Sequence, residues 1–516
     1  MRFPLRSPED SWTLLTIPSK KSLGFAGAEV VERWFALLKK VLFVIATLVL
    51  SGISLAQSLQ TLIHQPPAGV GMSFLLTDGT VMFQGNSSAT WYKLTPDNTG
   101  NYVNGTWTKL ANLPAGYVPY AFASSVLGDG RVLIEGGEYN NGAFVLTNKG
   151  AIYDPKANTW TSVAAPTGWT TIGDSPSVVL PNGLFLLGNK VTKDMAVLDP
   201  ATLTWTAVPS TYKKDFNAEE GWTLMPNGTV LTFDVKNAPH AERYLPTRLK
   251  WVSAGSTIVD LHSPTDVVGC LQYPGGCYYP PGEVGPAILR PDGTVFATGS
   301  YSNNGAGPGH TSIFHPGRYL GSRGIWTVGP DFPNGDNAGD SWAVLLPNGN
   351  VLVAGNSGRL YEFDGTNLKP TLVFYGSLLV LPTGQVIIAG GSVRVYTSTG
   401  TYSPAWAPTV TMFPGTITRG STYSIAGTQF NGLSQAASFG DEFETSTNYP
   451  LVRITNQASG HVFYARTHNH SSMGVATGAA IVSTNFDVPA GAETGTSSLE
   501  VVANGIPSAA VTVTVN

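Results

Sequence analysis

Five carboxylates stand at nearly one offset ahead of a turn that recurs down the chain: Asp174 in Gly-Asp-Ser-Pro, Glu219 and Glu220 in Ala-Glu-Glu-Gly-Trp, Glu283 in Gly-Glu-Val-Gly-Pro and Asp340 in Gly-Asp-Ser-Trp. Like charges brought together raise one another's pKa or demand a cation or a donor-rich ligand. An oxygen-rich set of this kind suits calcium or magnesium, and a nearby imidazole would admit manganese or zinc. His468 and His470 lie two residues apart in a stretch rich in Ser and Gly, from which His470 is expected to join the set, with Tyr375 at its edge. The candidate ligand-binding residues are therefore Asp174, Glu219, Glu220, Glu283, Asp340, Tyr375 and His470, and a divalent cation would be held by Asp174, Glu220, Glu283, Asp340 and His470. The alternative is that each carboxylate caps its own strand by accepting backbone N–H bonds at the strand entry. No nucleophile elbow, phosphate loop or zinc-protease signature accompanies them.

The elements that must position these residues follow from the repeat. Its copies are SFLLTDGTVMFQG from Ser73, SSVLGDGRVLIEGG from Ser124, SVVLPNGLFLLG from Ser177, GWTLMPNGTVLTFD from Gly221, AILRPDGTVFATG from Ala287, AVLLPNGNVLVAG from Ala343 and LLVLPTGQVIIAGG from Leu378, seven in all. Apolar runs on both sides of an Asp-Gly or Asn-Gly turn read as a buried hairpin, with a two-residue loop whose positive φ angles match the strand twist. Most copies continue into an aromatic-Asp-Pro turn and a Thr-Trp pair, as in AIYDPKANTWTSV, which reads as the outer hairpin of a four-stranded blade. Trp107, Trp160, Trp205, Trp251 and Trp326 occupy the equivalent place and are expected to wedge between neighbouring blades. One blade cannot bury both faces, so the copies must stack about an axis, and the carboxylates at the strand entries then share one rim. His310 and His315 fall in outer hairpins and are expected to be structural.

The chain of 516 residues, with 59 Gly and 36 Pro but only 12% charged residues, has the composition of many short strands joined by tight turns. A net charge of −4 offers no basic stripe, so nucleic acid is not an expected partner. Lys39-Lys40, the apolar run from Val41 and Ser54-Leu55-Ala56 form a signal peptide pattern, with cleavage expected after Ala56; an uncleaved leader would be the one membrane attachment. In an exported chain the two cysteines, Cys270 and Cys277, read as one local disulfide rather than a metal pair. After Trp406 the repeat gives way to short alternating strands such as STYSIAG, YPLVRITN, HVFYART and AVTVTVN, the pattern of an immunoglobulin-like sandwich. The expected organisation is a leader over 1–56, an all-β, seven-bladed propeller over 57–405 and an immunoglobulin-like β-sandwich over 406–516.

The order inner hairpin, Gly-Gly, Tyr-Asp-Pro, Thr-Trp resembles kelch repeats, and a kelch propeller followed by such a sandwich resembles the galactose oxidase superfamily, whose C-terminal part is an early-set domain. In active members the resemblance implies copper held by two tyrosines and two histidines, one tyrosine linked to a cysteine, with one histidine supplied by a loop of the C-terminal domain. Here the matching positions are Val70, Ala121, Asp174, Glu219, Val284, Asp340 and Tyr375, without a cysteine, and Phe374-Tyr375-Gly376-Ser377 lacks the family's histidine after the tyrosine. Copper-radical chemistry is not expected. The leading expectation is an exported, secreted or periplasmic recognition protein that binds glycan or cell-surface material at the carboxylate-lined rim. The alternatives are a metal-dependent carbohydrate-active enzyme or diverged oxidase on that rim, and a structural envelope protein.

Overall fold

A computed structural model describes residues 57–516, apart from Ser87, Thr265, Asp266, residues 301–307 and Asp441. The leader and its cleavage site at Ala56 lie outside the described residues. The described chain is all-β, with no α-helix and only three short 3-10 turns. No helix among the described residues is long and apolar enough to cross a membrane.

Seven antiparallel sheets follow the seven copies of the repeat among the described residues, six of four strands and one of five. We number these blades 1 to 7 by their innermost strands: Val70–Leu75, Ala123–Val126, Ser177–Val179, Thr223–Leu224, Ala287–Leu289, Ala343–Leu345 and Ser377–Val380. Strand Ser58–Thr61 completes blade 7 by pairing with Val393–Thr397, so the two ends of the repeat share one sheet. Innermost strands of blades 1 and 2, 2 and 3, 4 and 5, 5 and 6, 6 and 7, and 7 and 1 pack side by side, as they do in a propeller.

Each inner hairpin forms where the sequence places it, but its turn differs from the expected two-residue loop. In blade 1 the Leu76 N–H bonds Thr80 O, and the Gly79 N–H bonds Leu76 O; the same pair of bonds recurs in all seven copies. The loop therefore has three residues, a type I turn closed by a left-handed glycine, as at Gly79 with φ of 75°. Only the glycine needs positive φ. The Asp or Asn before it instead accepts the N–H two residues on, as Asp78 does from Thr80 at 3.0 Å.

The recurrent tryptophans do join blades. Trp107 Nε1 donates to His64 O at 2.8 Å, Trp205 Nε1 to Ala164 O at 2.6 Å and Trp326 Nε1 to Ala254 O at 3.0 Å, in each case a carbonyl at the end of the preceding blade. His310 and His315 bond Asp331 and Thr327 in outer strands of blade 5.

Beyond residue 406 a two-layer β-sandwich encloses its own core of Ile417, Ile425, Ile454, Phe486, Val501 and Val513. Strand Val462–His468 serves both layers: its first half pairs with Leu451–Asn456 and its end with Val482–Asp487. The sandwich sits on the turn end of the inner hairpins, where the Thr467 N–H bonds Thr77 O, the His470 N–H bonds Gly128 O and the Met473 N–H bonds Pro181 O. From it residues 429–450 extend into the propeller. Ala437–Ser438 adds a fifth strand to blade 6 beside Ala343–Leu345, and the Gln435 side chain accepts the Leu224 N–H of blade 4 at 2.9 Å.

Candidate functional site

At the strand-entry end of the axis lies a cavity of about 930 Å³. Asp174, Glu219, Glu283, Asp340 and Tyr375, five of the seven residues singled out from sequence, line it, together with Glu138 and Tyr139 of the blade 2 hairpin and Tyr120. The inserted loop supplies Phe439, Glu442 and Phe443. Rings pack there in one cluster: Phe443 lies flat against Trp342 at 5.6 Å between centroids and edge-on to Phe122 at 5.1 Å.

The entry residues are held in an uncommon backbone state. Ala121, Glu219 and Asp340, at the same repeat position in blades 2, 4 and 6, have φ of 52°, 57° and 46°. Non-glycine residues in this region carry strain that surrounding structure must hold, and such residues cluster at functional sites. At Gly136 a positive φ coincides with close approach, since a Cβ there would lie 2.2 Å from Gly173 O of the next blade. That glycine lets the Glu138 hairpin fold over the rim.

The wall is strongly acidic. The amine of Lys190, fully buried, sits between Asp174 and Glu219, 2.5 Å from Glu219 Oε1 and paired with Asp174 Oδ2. Tyr278 donates its hydroxyl to Glu219 Oε1 at 2.6 Å. Burial pushes the carboxyls of Asp174, Glu283 and Glu442 well above the usual range, with nearby acids adding to it. Asp340 opens into the cavity, yet the enclosing wall and then Glu219 push it up to about 6, against Lys190 and a hydrogen bond with Glu283. Glu138 is pushed up to about 7 by burial, with Lys190 opposing and Glu219 and Asp340 adding to the rise. None of the five predicted carboxylates accepts an N–H bond from its own strand entry among the described residues, so strand capping does not account for their placement.

These raised values make a stability statement. A carboxyl that binds its proton more tightly folded than unfolded contributes stability at low pH that is lost as pH rises through the folded value. The melting temperature is therefore expected to fall between about pH 5 and about pH 8, and Glu138→Gln should flatten the fall by about 1 kcal/mol, discounted because its side chain is only partly buried. Thermal melts across pH check this; an unchanged slope in the variant would contradict it.

Two predicted residues are not in the cavity. Glu220 follows Glu219 but points away, into a buried cluster where Lys213 Nζ lies 2.7 and 3.0 Å from its two oxygens. The left-handed turn at Glu219 sends consecutive side chains to opposite sides. His470 lies at the turn end of the propeller, stacked on Tyr449 with its Nδ1 2.8 Å from the Thr484 hydroxyl, and burial lowers its pKa to about 3. His468 is bound to Asp487 at 3.1 Å. The cation set expected at Asp174, Glu220, Glu283, Asp340 and His470 is thus not assembled. Among the described residues the one group of three candidate ligands within 4.8 Å of one another is Asp234, His240 and Glu242 in blade 4.

The copper arrangement implied by the family resemblance does not fit either. None of the chain's eight histidines lines the cavity, and the inserted loop brings Phe439, Glu442 and Phe443 where that family brings a histidine. Both cysteines are joined in the Cys270–Cys277 disulfide. That bridge closes the hairpin of Leu271–Tyr273 and Gly276–Tyr278, which carries Tyr278 to Glu219. Replacing both cysteines by serine is expected to cost at most about 2.5 kcal/mol, the loop entropy of so short a closure, and to raise hydrogen exchange around Tyr278 without unfolding the propeller. Global loss of protection would contradict this.

Sequence reasoning missed Lys190, Glu138, Tyr278 and the inserted loop. The loop had one signal: 429–450 is far longer than a sandwich turn requires, and such loops are commonly functional. Lys190 had a weaker one, as the Asn-Lys pair after Gly188 stands where other copies have Gly-Gly or a small residue.

No protein-family model matches the chain, and no curated protein matches its sequence. Among solved structures, a fungal alcohol oxidase of the AA5 family, in complex with copper, is 14% identical with a TM-score of 0.50 over 90% of this chain and 100% of that one. The extracellular domain of a one-component system from B. thetaiotaomicron is 11% identical with a TM-score of 0.45 over 89% of this chain and 58% of that one. Virginiamycin B lyase from Staphylococcus aureus is 11% identical with a TM-score of 0.43 over 66% and 99%. The first of these likenesses shows a shared fold, and the other two are weaker.

Proposed function

We propose that this protein is an exported recognition protein that binds a hydroxyl-rich ligand, a saccharide of cell-surface or extracellular material, in the axial cavity. One observation carries the reading: a cavity of about 930 Å³ lined by both carboxylates and aromatic rings. Carboxylate oxygens accept hydrogen bonds from sugar hydroxyls, and the exposed rings of Tyr120 and Tyr375 can cover the C–H faces of a pyranose. The volume lies within the range of small-molecule sites. The disulfide supports an oxidising compartment outside the cytoplasm. The kelch and early-set assignments belong to the same reading, resting on the repeat phrase and on the sandwich that follows it.

A second reading is favoured by the two carboxyls held near neutrality. Asp340 at about 6 and Glu138 at about 7 have the proton affinity of a general acid and base, so an enzyme acting on the bound saccharide is the alternative. Binding of purified protein to an array of immobilised glycans tests the recognition reading, with saccharide turnover separating the two. Saturable binding without turnover supports recognition, turnover supports the enzyme, and neither would contradict both. Incubation with copper and primary alcohols is expected to yield no peroxide; peroxide production would overturn the exclusion of oxidase chemistry.

A further inference from the structure

The charge of the cavity wall says more about the ligand. Glu138, Asp174, Glu219, Glu283, Asp340 and Glu442 line it, and no Lys or Arg side chain does among the described residues. Lys190 reaches through the wall to Asp174 and Glu219 alone. Six carboxyls against one amine leave an excess of five acidic groups, which must hold protons or meet a counter-charge.

A bare divalent cation is poorly suited to supply it. Calcium takes six to eight oxygens at about 2.3–2.6 Å. No three of these carboxylates bring ligand atoms within 4.8 Å of one another among the described residues; only Asp234, His240 and Glu242, elsewhere in blade 4, do. The acids are spread around the axis, as they must be when they come from different blades, and a counter-charge that reaches several of them has to be spread too.

Independent of the acid count, Asp174 shows that the wall's own amine does not satisfy it. Asp174 is only 4% exposed and lines the cavity; its Oδ2 is paired with Lys190, but its Oδ1, closed to solvent, has no hydrogen-bond partner. A buried carboxylate oxygen without a donor leaves negative charge behind the wall that a cation in the cavity can offset. Two exposed rings of the lining, Tyr120 and Tyr375, offer π faces that attract organic cations.

We infer that the ligand carries ammonium groups: a saccharide containing unacetylated amino sugars, whose amines meet the rim carboxylates while its ring faces lie on the exposed tyrosines between them. This rests on the saccharide reading of the cavity and makes it specific. Uronic or sulfated saccharides are excluded by the same charges.

Calorimetric titration with three tetrasaccharides of one backbone length tests the inference: glucosamine tetramer, its fully N-acetylated form and neutral cellotetraose. The amine form is expected to bind at least about tenfold tighter than the other two, a preference that weakens with salt as charge pairing requires. Glu442→Gln, and separately Glu138→Gln on its partly buried hairpin, should each lower affinity for the amine form by about tenfold. Asp364→Asn, on an outer turn of blade 6, should leave it unchanged. Equal or tighter binding of the neutral or acetylated forms would overturn the ammonium inference and leave the saccharide reading standing. Amine binding insensitive to both rim variants would also overturn it, as general attraction to an acidic surface. No binding of any of the three would count against the saccharide reading as well.

Discussion

Lys213→Met is expected to destabilise the protein by about 3–5 kcal/mol, the usual consequence of removing one partner of a buried ion pair. Lys213 and Glu220 are both fully buried, and Lys213 also lies 3.4 Å from Glu242 and 4.5 Å over the Trp251 ring. Removing the amine leaves Glu220 without a counter-charge in a site that already pushes its carboxyl upward. The segment that carries Glu219 to the rim would lose its anchor, since Glu220 is the next residue. The double variant Lys213→Met, Glu220→Met should recover most of the loss, because a packed apolar pair can replace a buried ion pair with little change. Urea unfolding of the single and double variants checks both statements. A single variant within about 1 kcal/mol of wild type would contradict this view of the cluster.

The second large effect is expected at Phe443. Its ring, 6% exposed, bridges Phe122 of blade 2 and Trp342 of blade 6 across the axis and also meets Phe439 at 5.5 Å. Phe443→Ala should cost about 3–5 kcal/mol through lost contacts and the space left behind. The inserted loop should also lose its fixed position, so saccharide binding should fall together with stability. Phe443→Leu keeps an apolar side chain there and should retain most of the stability while still weakening binding, which separates packing from ligand contact. Chemical unfolding and titration of both variants measure this; full binding by Phe443→Ala would contradict the placement of the loop at the site.

Much of the architecture was legible because it repeats. The turn glycine and its flanking apolar runs could be read seven times and the outer-hairpin tryptophan five times, and repetition reveals a period that one copy could not. The rim carboxylates were legible for the same reason, as Asp174, Glu219 and Asp340 share one offset, Glu283 stands one residue before it, and all four line one end of the axis. What was not legible departs from the period. Glu219 and Glu220 are neighbours in sequence, yet a single left-handed residue sends them to different surroundings. His470 was expected at the rim because a loop of the C-terminal domain was expected there; the loop that arrives is 429–450, which has no histidine and adds one short strand to blade 6 on its way. Lys213 was unreadable, and Lys190 readable only as a break in the repeat, because a buried lysine looks like a surface one until its partners are known. The turn itself was misread because Asp-Gly and Asn-Gly serve both two-residue and three-residue hairpins, and only backbone hydrogen bonding tells them apart.

The central claim, that the axial cavity is the ligand site, is tested most directly by carboxyl footprinting. Carbodiimide labelling of the protein, alone and saturated with a glycan that it binds, followed by peptide mass spectrometry, reports the accessibility of each acid. The account predicts that ligand protects Asp340, Glu138 and Glu283, while Asp97, Asp260 and Asp364 on the outer surface label as before. Protection confined to the outer acids, or unchanged labelling of Asp340 and Glu138 under saturation, would contradict it.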